Sequence, residues 1–184
     1  MSRVVEVRET GLKLLEAAGY TYERVGKGIS YNVRISPDKL AHVKVGTQGG
    51  PIIRAQSLDE NCEFNGLTED VSHLFYINSD RKTEEITAYL IPKDKAISAF
   101  RASWKDRLRK SSGNPASDMV SIAFFDGKND VDHGYQRKFA KYKIQPPNNE
   151  RFSVIVPLTI EEAKAGLAAK FGVGVNAIKI SIEM

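Results

Sequence analysis

Apolar residues recur at helical spacing near the N-terminus, where Val4, Val7, Leu12, Leu14, Leu15 and Ala18 are separated by Glu6, Arg8, Glu9, Lys13 and Glu16. This stripe predicts an amphipathic helix over residues 4–18, stopped by Gly19. The period then changes. Residues 20–25 are rich in strand formers, and after the Gly26-Lys27-Gly28 turn Ile29, Tyr31, Val33 and Ile35 alternate with polar neighbours, as in a half-buried strand. Ser36-Pro37-Asp38-Lys39 has turn chemistry, because Pro37 presets its dihedral and Asp38 can bond neighbouring backbone, so residues 40–47 return as the next strand. Gly49-Gly50-Pro51 breaks it, and residues 52–55 make a short further strand. Residues 57–70 carry few regular signals and read as a loop with a helical turn. Residues 73–78 and 85–91 read as a strand pair around a polar turn.

Pro92 ends that pair. Residues 93–110 follow as a helix with Ala96, Ile97, Phe100, Trp104 and Leu108 on one face. A loop at Ser111-Ser112-Gly113-Asn114-Pro115 leads to a strand over residues 119–125, a polar loop, and a basic-aromatic segment over residues 135–143. Pro146-Pro147-Asn148-Asn149 cannot continue a helix or a strand and marks a boundary between a main unit, residues 1–145, and a small tail, residues 150–184. The tail reads as βαβ-like: a strand over residues 152–156, a helix capped by Thr159 with Glu162 three residues on, and a strand over residues 177–182. Ile160, Ala163, Leu167, Ala168 and Phe171 line one face of its helix, so the tail should dock on the main unit or on a protein partner. The expected fold class is α/β, with a mixed, mainly antiparallel sheet flanked by helices.

A chain of 184 residues with 41% hydrophobic and 27% charged residues can bury a proper core and is not a disordered tail. The formal charge of +4 permits a polyanionic partner without demanding one. The single cysteine, Cys62, excludes an internal disulfide, and His42, His73 and His133 have no zinc-ligand spacing. No signal peptide or long apolar span is present in the sequence, so we expect a cytoplasmic protein with no membrane association.

Candidate chemistry begins at His42-Val43-Lys44 on the strand after the Pro37 turn. The element order (helix, three or four strands, loop, two strands, basic helix), together with this lysine, resembles the core of the PD-(D/E)XK, or restriction-endonuclease-like, nuclease superfamily over residues 4–110. In that family one acid precedes the turn, and a second acid and a lysine lie two residues apart on the next strand. That spacing puts both on one face, where they hold Mg2+ and address a phosphate. The resemblance implies that Lys44 stands at the lysine position, His42 at the second acid, and Ser30 or Asn32 at the first. Neither acid is present, and Asp38 lies in the turn, too close to His42. Three readings are open: an active site rebuilt around His42 and Lys44 with metal-binding acids imported from Glu6, Glu9 or Glu23; a decayed site on a fold that only binds DNA; or ordinary polar residues on a hairpin. No cofactor is expected on the second and third, and Mg2+ on the first.

The helix over residues 93–110 carries Lys93, Lys95, Arg101, Lys105, Arg107, Arg109 and Lys110 against only Asp94 and Asp106. Cations clustered in this way neutralise phosphates and give salt-sensitive affinity without sequence readout. Arg137, Lys138 and Lys141 form a second basic run, interleaved with Tyr135, Phe139 and Tyr142, which could stack on bases or serve as core. Asp126, Asp130 and Asp132 lack the glycine and glutamate of a calcium loop, Gly46-Thr47-Gln48-Gly49-Gly50 lacks the ending of a phosphate loop, and a Cys62 and His73 thiol pair has no spacing to support it. The favoured expectation is a DNA-binding, nuclease-like protein with weak or absent cleavage. The rivals are an active endonuclease and an adaptor or immunity factor that binds protein through its tail.

Overall fold

The structure, a computed structural model, describes residues 3–26, 31–35, 38–46, 49–80, 83–125, 133–145 and 159–180. The chain divides into two units, Met1–Phe152 and Ser153–Met184. In the first, helix α1 (Arg3–Ala17) precedes strands β1 (Tyr22–Val25), β2 (Asn32–Ile35), β3 (Lys39–Gly46), β4 (Ile52–Arg54), β5 (His73–Ser79) and β6 (Ile86–Pro92). Helix α2 (Lys93–Lys110), strand β7 (Met119–Ser121), the short helix α3 (Tyr135–Lys138) and a 3-10 turn at Ala140–Tyr142 complete it.

Five strands form a sheet in the order β1-β2-β3-β5-β6, and β4 and β7 form a separate two-stranded sheet. Neighbours in the large sheet run antiparallel except β3 and β5, which are parallel. The fold is therefore α/β with a mixed, mostly antiparallel sheet flanked by helices. Parallel neighbours cannot be joined by a tight turn, so residues 47–72 cross over, contributing β4 and a long loop on the way.

Strand alternation divides the core in two. On one face Val33, Ile35, Ala41, Val43, Phe75, Ile77 and Ala88 pack against Val7, Leu12, Leu14 and Leu15 of α1. Gly11 permits this approach, since a Cβ there would lie 2.5 Å from the Ile77 side chain. On the other face Leu74, Tyr76, Tyr89 and Ile91 pack against Phe100, Trp104 and Leu108 of α2 and against Ile53, Phe64, Val120 and Phe124. Phe100, Trp104 and Phe64 are almost fully enclosed. Each large apolar side chain enclosed in this way stabilises the fold by about 1.5–3 kcal/mol.

α1 stops where Gly19 predicts, with the Tyr20 amide donating to the Leu15 carbonyl at 3.1 Å. α2 has the expected bounds. β7 does not: it ends at Ser121 rather than 125, because only Met119–Ser121 finds a partner in β4, and the amides of Ile122 and Phe124 turn to the carbonyls of Pro51 and Gly49. Residues 57–70 contain turns but no helix.

In the second unit, helix α4 spans Ile160–Phe171 and a 3-10 turn spans Val175–Ala177. The expected strand over residues 177–182 is not formed within the described residues, where 178–180 have no ladder partner. The expected strand over residues 152–156 and the Pro146 to Asn149 boundary lie outside the described residues, as do Ser30, the Asp126 to Asp132 loop and the Glu162 side chain. No helix among the described residues is long and apolar enough to cross a membrane.

Candidate functional site

β3 is the central strand of the large sheet, and His42 and Lys44 share its α2-side face. His42 lies opposite Asn32 on β2 and Leu74 on β5. Its Nδ1 is 2.9 Å from Asn32 Oδ1, an oxygen that can only accept, so Nδ1 carries the proton and Nε2 presents a bare lone pair. Nε2 has no hydrogen-bond partner, although the residue is 5% exposed. Gly66, with φ +85, closes over the ring; a Cβ there would sit 2.3 Å from Nε2. Burial, reinforced by the charge of Lys44, lowers the pKa of His42 to about 4, so the imidazole is neutral near neutral pH.

Lys44 is half-buried, and burial lowers its pKa as well. It makes no ion pair with any carboxylate among the described residues. Across the sheet Lys44 lies opposite Tyr76, whose buried hydroxyl donates to Asn78 Oδ1 at 2.9 Å.

The donor set around Lys44 does not fit magnesium. A hard divalent cation takes carboxylate and carbonyl oxygens, whereas this face offers an imidazole nitrogen, side-chain amides hydrogen-bonded to His42 and to Tyr76, a tyrosine hydroxyl and an amine, with no carboxylate. Glu6 and Glu9 are exposed on α1, which packs on the opposite face of the sheet, and Glu9 pairs with Arg8 at 3.6 Å. Glu23 is exposed on β1, separated from β3 by β2 and in register with Arg34. The structure therefore brings none of these three carboxylates to Lys44, and no group of three or more metal-binding side chains occurs among the described residues.

The basic face of α2 is real and largely occupied. Arg101 Nη2 donates to the Asn61 carbonyl at 3.1 Å, Lys105 pairs with Glu60 at 2.7 Å, and the Trp104 indole donates to the Asp59 carbonyl at 3.1 Å. Together they fasten residues 59–61 to the helix. Arg107 donates to the Met119 carbonyl, bracing β7. Arg109 and Lys110 share Asp106 at 2.8 and 2.5 Å, and hydrogen bonds from Lys110 and then Arg109 hold its carboxyl below the usual range. At the other end of the helix, Lys93 Nζ donates to the carbonyls of Thr68 and Glu69.

In the second basic run, Lys138 lies over Tyr135 and donates to the His133 carbonyl, and Lys141 lies over Tyr142. Arg137 lies in the short helix α3, one residue before its end. Tyr135 and Phe139 are buried, with Tyr142 packed against their cluster, so these rings build core and do not stand free to stack on bases. Cys62 is buried on the α2 side of the sheet. His73 begins β5 on the other face, where its Nδ1 donates to Ser72 Oγ, whose own hydrogen goes to the Leu40 carbonyl.

Sequence reasoning placed His42, Lys44 and Asn32 but missed Gly66 as their roof and the bracing duties of Arg101 and Arg107. The Asn65-Gly66 dipeptide is a turn signal, but nothing local announces the ring beneath it. Comparison with protein-family models, curated proteins and solved structures returned no match.

Proposed function

We propose that this chain is a nucleic-acid-binding protein with a restriction-endonuclease-like arrangement, gripping the phosphate backbone through α2 without metal-dependent cleavage. The observation that carries this reading is the set of five cations on α2 from Arg101 onward, Arg101, Lys105, Arg107, Arg109 and Lys110, whose ion-pair partners are only Glu60 and Asp106 among the described residues. Lys105, Arg109 and Lys110 keep well-exposed side chains, and exposed pairs of this kind are weak enough to exchange one anion for another. The α1-β1-β2-β3 order followed by a strand parallel to β3, with a lysine on the central strand, supports the nuclease-like part. The misfit of the donor set to magnesium supports the lack of cleavage.

The test is duplex DNA affinity across a salt series for the wild type and for Arg101, Lys105, Arg107 and Arg109 replaced together by alanine. The variant should bind all sequences more weakly, with the salt slope reduced by about 1 for each phosphate no longer neutralised. An Arg109→Gln, Lys110→Gln variant, which leaves the Arg101, Lys105 and Arg107 braces in place, should show the same trend. Unchanged affinity and slope in both would reduce α2 to a brace for its neighbouring loops. The wild type should not cut DNA in magnesium; cleavage that disappears in Lys44→Ala would overturn the decayed-site reading.

A second reading has its own observation. Ile160, Leu167, Phe171, Val173 and Val175 of the C-terminal unit are exposed, which favours a protein partner there. A stable protein complex, with no DNA retention at low salt, would select this reading.

A further inference from the structure

A cavity of about 330 Å3 lies between the last turns of α2, the 111–117 loop and β7, within the size range of small-molecule sites. What distinguishes it is the balance of unused hydrogen-bonding groups along its walls. Its one carboxylate and the helix-end carbonyls beside it already accept hydrogen bonds. Asp106 Oδ1 receives Arg109 and Oδ2 receives Lys110. The carbonyls of Arg107, Leu108 and Arg109, which would give this end of the helix its negative pole, receive the amides of Ser111, Gly113 and Ser112.

Its donors are only partly taken: the Ser103 hydroxyl goes to the Ser121 carbonyl, but others remain. Arg107 spends one N–H on the Met119 carbonyl and retains the rest of its fork, and Lys110 retains N–H groups beyond the one given to Asp106. Ser117 Oγ accepts the Met119 amide, leaving its hydrogen to give, and the Ser121 hydroxyl has no partner among the described residues. Two cations and two hydroxyls therefore belong to residues that line the cavity and have donors to spare, against one carboxylate already shared by two cations. The complement is a compact anion with several acceptor oxygens, and a guanidinium fork matches a phosphoryl group in two-point contact.

We propose that this cavity is a phosphoryl-binding site, formed by Arg107, Lys110, Ser117 and Ser121, that takes the phosphate of a nucleotide or of a nucleic-acid strand. For a strand the inference rests on the nucleic-acid reading above; the phosphoryl chemistry stands apart from it.

The experiment is an amide-resolved NMR titration of the whole chain at low ionic strength with inorganic phosphate, a nucleoside 5′-monophosphate, the unphosphorylated nucleoside, and a short duplex. Phosphate and monophosphate should shift Ser111, Ser117 and Ser121, and the nucleoside should not. Replacing Arg107 and Lys110 by glutamine should weaken the monophosphate by at least about tenfold, whereas Lys13→Gln, exposed on α1 and outside the cavity, should change it by less than about twofold. Because Arg107 also braces β7, a Ser117→Ala, Ser121→Ala variant that leaves the brace intact should weaken binding in the same direction.

Absence of phosphate-dependent shifts at these serines, equal weakening by Lys13→Gln, or full affinity in both cavity variants would overturn the site. Phosphate bound in the cavity with no duplex binding would keep the site and sink the nucleic-acid reading. Duplex binding that ignores the cavity variants would keep the nucleic-acid reading and overturn the strand as a ligand of this site.

Discussion

On β3 His42 is buried and Lys44 half-buried, and both are short of partners; on α2 Lys105, Arg109 and Lys110 are exposed and each is paired with a carboxylate. His42 keeps one nitrogen without a hydrogen bond and Lys44 has no counter-charge among the described residues, whereas Lys105, Arg109 and Lys110 all hold carboxylates. A reading by charge count ranks α2 first. A reading by desolvation ranks β3 first, because removing a polar group from water costs far more than a surface ion pair returns. The two regions therefore respond to different perturbations: β3 to pH and to shape, α2 to salt.

The largest effect should come from shape. Gly66→Ala must place a methyl against the His42 ring while holding a left-handed backbone, and should destabilise the fold by about 4 kcal/mol, roughly 3 from overpacking and 1 from the backbone. The same change in a His42→Ala background should keep only the backbone part, so denaturant unfolding of the four proteins in this cycle isolates the contact. Additive costs would mean that glycine and ring do not touch.

Next comes pH. His42 has a folded pKa of about 4 against an ordinary value of 6.5, so between these limits the unfolded chain binds the extra proton. Its contribution is fully present above pH 6.5 and is lost as pH falls toward 4, in total about 3 kcal/mol. Unfolding free energies measured across this window should slope upward with pH in the wild type and flatten in His42→Leu. An undiminished slope in the variant would place the titration elsewhere.

The smallest effect should come from α2. Lys105→Ala breaks an exposed pair with Glu60 and should cost less than about 1 kcal/mol, fading as salt is added. A loss several times larger would show that the pair itself, rather than Trp104, fastens residues 59–61.

Local signals were enough for elements whose stability is local. α2 has a clear apolar stripe and Pro92 before its first residue, and its bounds were legible. The alternation of Val33, Ile35, Ala41 and Val43 placed His42 and Lys44 on one face. What could not be read was set by distant partners. β7 is three residues long because β4 offers only three, and Asn32 meets His42 through strand register. Gly66 reaches the ring from the crossover between β3 and β5. On α2 the cations were legible as a charge pattern, but the carbonyls of Asn61 and Met119 that occupy Arg101 and Arg107 belong to segments without a periodic signature. In the tail, the residue preferences of 178–180 favour a strand, but these residues have no ladder partner among the described residues.

The parallel pairing of β3 with β5 has a kinetic consequence. Every other junction in the large sheet joins strands consecutive along the chain and can close early, but β3 ends at residue 46 and β5 starts at 73, so their ladder must wait for the intervening crossover to collapse. His42 lies in that ladder and takes its cover from that crossover. We therefore expect the imidazole to leave water late in folding, so that a chain halted before the crossover closes would carry it exposed to solvent.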